Sequence, residues 1–307
     1  MKLTLKQMRY FDALARALHF GRAAQAVNVS QPALSAQIAE MEQRLGCKLV
    51  ERARGPVVLT EAGQRLLPGI RRVLDEVRAL EEIVQQDQGV LTGTLRIGII
   101  PTVAPYLLPT LVTRLAQDYP GLVLRVREAI TETLTGLLLA GELDAIIAAE
   151  PIAGRGLESR LLFRDRFFMA ASENDRDVLV SPLHQDQVAL DRLLLLEEGH
   201  CLRDQALDVC TGARELRIVK FGATSLPTLL QMVAHGMGQT LLPEIAIKAE
   251  LPHNDTIRIV PFAPPEPARD IALFWRSASE RRADYEAFAG IASEVAAALL
   301  QPDRAAA

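Results

Sequence analysis

The sequence predicts an α/β protein with a small helical head, a long connecting helix and a larger α/β body. Three observations lead to this prediction. Three short helical patterns crowd the first 45 residues. A long helical run with a heptad seam follows them, up to Gln88. Beyond Gly89, strand-like apolar segments alternate with helical ones, which is typical of sheets covered by helices on both faces.

Composition and charge narrow the class further. Hydrophobic residues make up 49% of the chain and charged residues 23%, so the protein is globular. The net charge of −4 divides into +5 for residues 1–60 and −9 for the rest. A basic head fits a module that binds phosphates, although ordinary charge scatter stays an alternative. No segment approaches the ~20 apolar residues of a membrane span, and no signal-peptide layout is present. We therefore expect a cytoplasmic protein, in which three cysteines form no structural disulfide framework.

The head is predicted to contain a helix-turn-helix. Leu5–Ala17 carries one apolar stripe, and Phe20–Val27 is short and rich in alanine. A third helix opens with Ser30 as its N-cap, has Pro32 in its first turn and ends at Gly46. In such a motif the second of two helices joined by a tight turn lies in the major groove of DNA, with its N-terminal residues on base edges.

The candidate DNA contacts lie on the outward face of the recognition helix and on a wing. The helix presents Gln31, Pro32, Ser35, Gln37 and, further on, Arg44. Glutamine can pair with adenine, and serine is adaptable. Val50–Leu59 reads as two short strands around a turn, which places Arg52 and Arg54 for phosphates. A plain helical bundle is the alternative, but it leaves the arginines of the wing unexplained.

The connecting helix predicts a homodimer. Its apolar seam consists of Leu66, Ile70, Val73, Val77, Leu80 and Val84. The run is roughly 40 Å long and cannot bury this seam alone, so a second copy would cover it. Pro68 predicts a kink near the start of the helix. The open alternative is that the seam packs on the body of its own chain.

The body is predicted to alternate strands and helices in parallel sheets. Strands are expected at Leu95–Ile100, Val123–Glu128, Ala145–Ala148, Phe167–Ala170, Leu193–Leu196, Arg217–Phe221, Thr240–Leu242 and Ile271–Trp275. Helices are expected at Tyr106–Gln117, Thr131–Leu139, Ser225–His235 and Glu280–Leu300. A second unit begins near Phe167, and the proline-rich segment Phe262–Pro267 crosses back to the first. Ligands in such folds bind at strand ends or between lobes.

Residues 1–88 resemble the LysR-type transcriptional regulators. The resemblance rests on Ala23-Ala24, Val29–Ser35, Ile38, Leu45-Gly46 and Leu59–Gly63. It implies a winged helix-turn-helix over 1–60, a dimerising linker helix over 61–90 and a regulatory domain over 91–307. That domain would have two lobes like those of periplasmic binding proteins: lobe I at 91–165 and 266–307, lobe II at 166–265. The resemblance also implies a homodimer or homotetramer on a double-stranded operator, acting with RNA polymerase.

Two cysteines stand close together in lobe II. Cys201 follows a predicted strand, and Cys210 comes nine residues later. A helix N-terminus, the adjacent His200 and the nearby Arg203 favour thiolate, which peroxide oxidises to sulfenic acid. A second thiol can then form a disulfide. On an intact helix the two cysteines would lie about 13.5 Å apart along the axis, whereas a disulfide spans at most roughly 7 Å between Cα atoms. Oxidation must therefore unwind the segment, unless both cysteines are simply small apolar residues.

The cysteine segment is similar to that of the hydrogen-peroxide sensors within this family. The similarity covers Gly199–Ala206 with Cys210, Ile100–Val103, Pro105–Pro109 and Ala223–Leu226, but not Arg155–Asp191. It implies that Cys201 is the peroxidatic and Cys210 the resolving residue. It also implies peroxide binding by Thr102, Thr131, His200 and Asp204, with Arg276 helping to stabilise the thiolate. The oxidised form would activate antioxidant genes, and a thiol reductant such as glutaredoxin or glutathione would reset it.

Two other functions stay open. The chain could be a LysR-type regulator of a small organic effector, with incidental cysteines, or a thiol peroxidase, against which the DNA-binding head argues. No cofactor is expected, and no metal either, because the other histidines lack ligand spacing. These are His19, His184, His235 and His253. Cys47, just after the recognition helix, is expected to be buried.

Overall fold

The computed structural model divides the chain into two compact units, residues 1–87 and 88–307. The structure describes residues 3–51, 57–85, 89–152, 154, 156–175, 181–188, 192–209, 223–253 and 255–301. None of the helices in these ranges combines the length and the apolar character needed to cross a membrane.

The first unit is a helical head with a two-stranded wing. Its elements are α1 (Leu5–Ala17), α2 (Phe20–Ala26), α3 (Gln31–Leu45), β1 (Val50–Glu51), β2 (Val58–Leu59) and α4 (Glu61–Gln85). The strands β1 and β2 pair antiparallel, as predicted for the wing. Arg52 and Arg54, the phosphate contacts predicted there, lie outside the described residues. The core of the head is formed by apolar side chains of α1 and α3, among them Phe11, Leu34 and Met41.

Local capping chemistry sets the ends of the recognition helix α3. The hydroxyl of Ser30 accepts a hydrogen bond from the amide of Ala33 at 3.4 Å, and Pro32 occupies the first turn. At the other end Gly46 has φ of 74°, a left-handed conformation that glycine adopts without strain. Both predicted ends of α3 are thus confirmed.

The apolar seam of α4 divides between two environments. Ile70 is buried, and Leu66 packs on the same core of the head. Val73 and Leu80, in contrast, are 41% and 64% exposed, and α4 runs as one helix through Pro68. The start of the seam therefore packs on the head of its own chain and not on the body that the alternative interpretation named, and the exposed Val73 and Leu80 are open to a partner. The side chain of Val84 lies outside the described part of the chain.

The second unit contains seven strands and six helices among the described residues. They are β3 (Gly93–Ile99), α5 (Ala104–Asp118), β4 (Leu122–Glu128), α6 (Thr131–Leu139), β5 (Ala145–Ala149), β6 (Leu157–Ser172), α7 (Cys201–Val209), α8 (Leu226–Ala234), β7 (Thr240–Pro243), α9 (Glu244–Glu250), β8 (Ile257–Pro261), β9 (Ala268–Arg276) and α10 (Arg282–Leu300). The strand order is β4-β3-β5-β9-β6-β7, and β8 also pairs with β6.

The expectation of parallel sheets is wrong for most of these pairings. β3 is parallel to β4 and β5, but β9 pairs antiparallel with β5 and β6, and β6 pairs antiparallel with β7 and β8. Three of the four antiparallel pairings involve β6, a single strand of 16 residues. Its first part pairs with β9, and its second part pairs with β7 and β8, so one long strand serves both lobes.

Two of the strands predicted for lobe II are not confirmed. Leu193–Leu196 forms isolated bridges to Gln239 and Ala223 rather than a strand. Arg217–Phe221 lies outside the described residues. Two elements were not predicted from the sequence: α9, which directly follows β7, and β8, which precedes β9.

A buried ion pair secures the crossing between the lobes. Asp165 of β6 and Arg269 of β9 are register partners, and their side chains are 0% and 1% exposed. Arg269 donates to the carboxylate at 2.9 Å and also to the hydroxyl of Thr102 at 2.8 Å. The amide of Ile245 in α9 donates to Asp165 at 3.0 Å. One ion pair thus ties the crossing strands to the end of β3 and to α9.

We predict that Asp165→Asn lowers the free energy of unfolding by about 3–5 kcal/mol, because it leaves the buried guanidinium of Arg269 without its counter-charge. Urea unfolding of the full chain measures this loss. The control is Asp118→Asn, which removes an exposed ion pair with Arg114 and should change the stability far less, because solvent screens the two charges. Equal effects of the two substitutions would contradict the role of the buried pair.

Candidate functional site

One face of α7 lines a cavity of about 510 Å³. Side chains three and four residues apart share a helix face, and the cavity is accordingly lined by Cys201, Asp204, Gln205 and Asp208. The facing wall comes from α6 and from the segment that begins at the end of β5. It consists of Thr131, Glu132, Thr135, Ala149, Glu150, Pro151 and Ile152. The cavity therefore lies between α7 on one side and α6 with the end of β5 on the other, and the half-buried Cys201 borders it.

Gly199 allows the turn before α7 to approach α6 closely. It has φ of 93°, and a Cβ atom there would lie 2.8 Å from Cδ1 of Ile130. A side chain at this position would thus be strained by the backbone and crowded by its neighbour. On the opposite face of α7, Leu202 and Ala206 are buried in the core. These contacts fix the position of Cys201.

Two polar atoms of the cavity lining lack partners. The hydroxyl oxygen of Thr131 and the amide oxygen of Gln205 are shielded from solvent and have no hydrogen-bond partner in the described structure. An unfilled buried acceptor costs free energy, so both atoms favour a ligand or water that donates hydrogen bonds. Both residues also border the cavity that Cys201 faces.

The structure brings together some of the predicted peroxide-site residues and separates others. Cys201, Thr131 and Asp204 line the cavity. Thr102 and Arg276 are absent from its described lining: the hydroxyl of Thr102 accepts from Arg269 instead. Their assignment to the peroxide site stays a prediction that this arrangement does not support.

Arg276 and His200 have other environments. Arg276 donates to the carbonyl oxygens of Leu138 and Leu143 at 2.6 and 2.7 Å, at the C-terminal end of α6. His200 is half-buried and precedes α7 without joining the described lining of the cavity. Burial lowers the pKa of His200, and the charge of Glu197 opposes this shift only in part.

Several residues of the cavity wall were not predicted from the sequence. They are Gln205, Asp208, Glu132, Thr135 and Glu150. Helical spacing would have found three of them, since Gln205 and Asp208 lie four and seven residues after Cys201 on α7, and Thr135 lies four residues after Thr131 on α6. The sequence around Glu150, which follows β5, does not indicate that this residue lines the cavity. It reaches the cavity only because β5 pairs with strands that are distant in the chain.

The expectation that Cys47 is buried is wrong. It is exposed, because the chain turns at Gly46 and the core positions after the turn are taken by Leu49 and Val50. Of the candidate DNA contacts, Gln31 and Pro32 are exposed at the start of α3. Ser35 and Gln37 are half-buried, and the amide of Gln37 donates to Glu40 at 3.0 Å.

The helix α7 spans Cys201–Val209, whose Cα atoms lie about 12 Å apart along the axis. A disulfide allows roughly 7 Å between Cα atoms, so the two ends of this helix are too far apart to be bridged. Cys210 lies outside the described residues, and the expectation that its bridge to Cys201 requires α7 to unwind stays a prediction.

Comparisons with known proteins agree over nearly the whole chain. A bacterial regulatory helix-turn-helix of the LysR family matches residues 5–64, and a LysR substrate binding domain matches residues 88–297. A probable hydrogen peroxide-inducible genes activator of Streptomyces viridosporus is 41% identical over 95% of this chain and 94% of its own length. The DNA-binding transcriptional dual regulator OxyR of Escherichia coli is 40% identical, covering 94% of each chain.

Solved structures give the same result. Full-length OxyR of Pseudomonas aeruginosa, a cysteine-to-aspartate variant, matches with a TM-score of 0.78 and 33% identity, covering 94% of this chain and 97% of that one. A cysteine mutant of Corynebacterium glutamicum OxyR, described as bound to hydrogen peroxide, matches with a TM-score of 0.63 and 33% identity. It covers 97% of this chain and 95% of its own.

We predict that Gly199→Ala lowers the free energy of unfolding by about 1 kcal/mol or more, because alanine is strained at this φ and its methyl group meets Ile130. The matched control is Gly290→Ala in α10, where a Cβ atom meets nothing within 4 Å and helix propensity favours alanine. Thermal or urea unfolding measures both. An unchanged stability of the first variant would contradict the close approach of Gly199 to α6.

Proposed function

Because this chain belongs to the LysR family of bacterial transcription regulators, we propose that it activates antioxidant genes in response to hydrogen peroxide. The observation that carries this proposal is the position of Cys201, at the start of α7 and at the edge of a cavity with two unfilled hydrogen-bond acceptors. Hydrogen peroxide has two O–H donors and is small enough to enter. The relatives named as hydrogen peroxide-inducible activators support it over nearly the full length.

The proposed sensing reaction begins at the sulfur of Cys201. Its thiolate, which is the nucleophilic form of a cysteine, attacks one oxygen of hydrogen peroxide. The S–O bond forms, the O–O bond breaks, and the leaving hydroxide takes a proton to become water. The product is a sulfenic acid. We assign Thr131 and Asp204, which line the cavity, the role of holding the peroxide and its proton.

A disulfide would then convert the chemical event into a conformational one. The thiol of Cys210 attacks the sulfenic sulfur, and water leaves. The two cysteines cannot meet across an intact α7, so this step requires the helix to unwind. Unwinding releases the buried Leu202 and Ala206 from the core of the lobe. A local redox reaction thereby changes the packing of the whole segment.

The output is proposed to be a changed geometry on DNA. Exposed apolar residues of α4, including Val73 and Leu80, fit a second copy of this chain, and an oligomer presents several α3 helices to the operator. We further propose that the protein forms a homotetramer, contacts RNA polymerase and is reset by glutaredoxin or glutathione. Its site of action is the cytosol, where the operator lies.

One observation favours a second candidate function, a regulator controlled by a small organic effector. At about 510 Å³ the cavity is large enough for such a ligand. In that case Cys201→Ser would still respond to the inducer. A thiol peroxidase, the third possibility, would consume peroxide steadily with a thiol reductant, whereas a sensor consumes roughly one equivalent per Cys201.

We predict that Cys201→Ser abolishes the change in DNA footprint that hydrogen peroxide produces, because serine forms no sulfenic acid. Footprinting of the reduced and peroxide-treated full chain, together with mass-spectrometric mapping of cysteine states, measures the response. Cys47→Ser is the matched control: Cys47 is exposed on the other unit and should leave the response unchanged. Identical footprints of the unsubstituted protein in both states would overturn the proposed function.

A further inference from the structure

A buried carboxylate joins the recognition helix α3 to the start of the wing. Glu42 belongs to α3 and is only 3% exposed. One of its oxygens accepts hydrogen bonds from the backbone amides of Leu49 and Val50, at 2.9 and 3.3 Å. The other oxygen forms an ion pair with Lys48 at 2.7 Å. This one carboxylate therefore binds three successive residues between α3 and the wing.

These contacts keep Glu42 charged. Burial alone would raise its pKa, but the hydrogen bonds from Lys48 and from the two amides outweigh burial and hold the pKa below its usual value. Hydrogen bonds to a charged acceptor are also stronger than those between neutral groups. At neutral pH the carboxylate is thus a firm attachment for this short segment of backbone.

The other side of the same segment is held by the beginning of α4. The amide of Thr60 donates to the carbonyl oxygen of Leu49 at 3.0 Å, and its hydroxyl donates to that of Lys48 at 2.7 Å. Gly63 packs directly on this backbone, since a Cβ atom there would lie 2.3 Å from the carbonyl oxygen of Leu49. The segment is therefore fixed from two sides, through its amides by α3 and through its carbonyl groups by α4.

The wing cannot hold itself in place. Strand β1 consists of Val50 and Glu51, and it pairs with β2 at two positions only. A two-stranded ladder is marginally stable at best in water, even when it is longer than this one. Arg52 and Arg54, the predicted phosphate contacts, follow β1 in the sequence. The placement of β1 therefore depends on contacts from outside the wing, and Glu42 provides them from the recognition helix.

We propose that Glu42 is a positioning residue for DNA binding, which holds the wing at a fixed place relative to the recognition helix so that both contact one duplex together. Because Glu42 is buried, it acts through β1 and not by touching DNA. The inference deepens the proposed function and rests on it in one respect, that this head binds DNA. It assigns a role to the inner face of α3, whereas the predicted DNA contacts lie on the outer face.

The expected effect of losing Glu42 is a loss of phosphate contacts. Each such contact contributes about 0.9 to the slope of the logarithm of affinity against the logarithm of salt concentration, and about 10-fold to the affinity at 0.1 M salt. A displaced wing should therefore lower the slope by about 1–2 for each head that is bound. Partial unfolding, in contrast, lowers the affinity by the same factor at every salt concentration and leaves the slope unchanged.

The test measures how the reduced full chain binds a fluorescein-labelled DNA duplex of mixed sequence, by fluorescence anisotropy between about 0.05 and 0.2 M salt. Glu42→Gln keeps the size of the side chain but removes its charge. Glu42→Asp keeps the charge but is one methylene group shorter, so it does not reach the two amides. We expect both variants to lower the slope by about 1–2 for each head and to weaken binding at 0.1 M salt by at least about 10-fold.

Glu61→Gln is the matched control, because Glu61 is an 82% exposed carboxylate of the same unit that pairs with Arg65. It removes the same charge and should leave the slope unchanged. If the two Glu42 variants keep the slope of the unsubstituted chain, with or without a uniform loss of affinity, the inference is overturned. An unsubstituted chain that binds no duplex would overturn the proposed function as well. Oxidation of Cys201 by peroxide, followed by mass spectrometry, bears on the proposed function alone.

Discussion

The helix α7 acts as a spacer, and the proposed switch depends on it. It sets the Cα atoms of Cys201 and Val209 about 12 Å apart along the axis, farther than the roughly 7 Å of a disulfide, so we propose that a bridge to Cys210 and an intact helix exclude each other. Nine residues are too few for a stable isolated helix in water, so α7 depends on its packing. That packing is modest, since its buried residues are Leu202 and Ala206. A short helix with few anchors is suited to local unfolding.

The surroundings of α7 are, by contrast, firmly built. The long strand β6 serves both lobes, and the pair of Asp165 and Arg269 ties it to β9 at the crossing. Thr102, which resemblance assigned to peroxide binding, belongs to this frame in the structure, because its hydroxyl accepts from Arg269. A rigid frame beside a weakly held helix confines a conformational change to the helix.

Local chemistry explains which parts of the fold were predictable from the sequence. Ser30 and Gly46 bound α3 as expected, since capping depends on residues a few positions apart. The extent of β6 was not predictable, because strand pairing depends on residues distant in the chain. Arg276 shows a different limit: a family resemblance transfers a residue but not its hydrogen-bond partners. Gln205 was missed although its spacing from Cys201 on a helix carried the signal.

Hydrogen–deuterium exchange of the segment Cys201–Val209 tests the central claim most directly. The amides of α7 would be followed in the reduced full chain and again after one equivalent of hydrogen peroxide, with the disulfide confirmed by mass spectrometry. Our account predicts that these amides are protected in the reduced protein and lose protection when the bridge forms, while those of β6 stay protected. A bridged protein in which α7 keeps its protection would contradict the account.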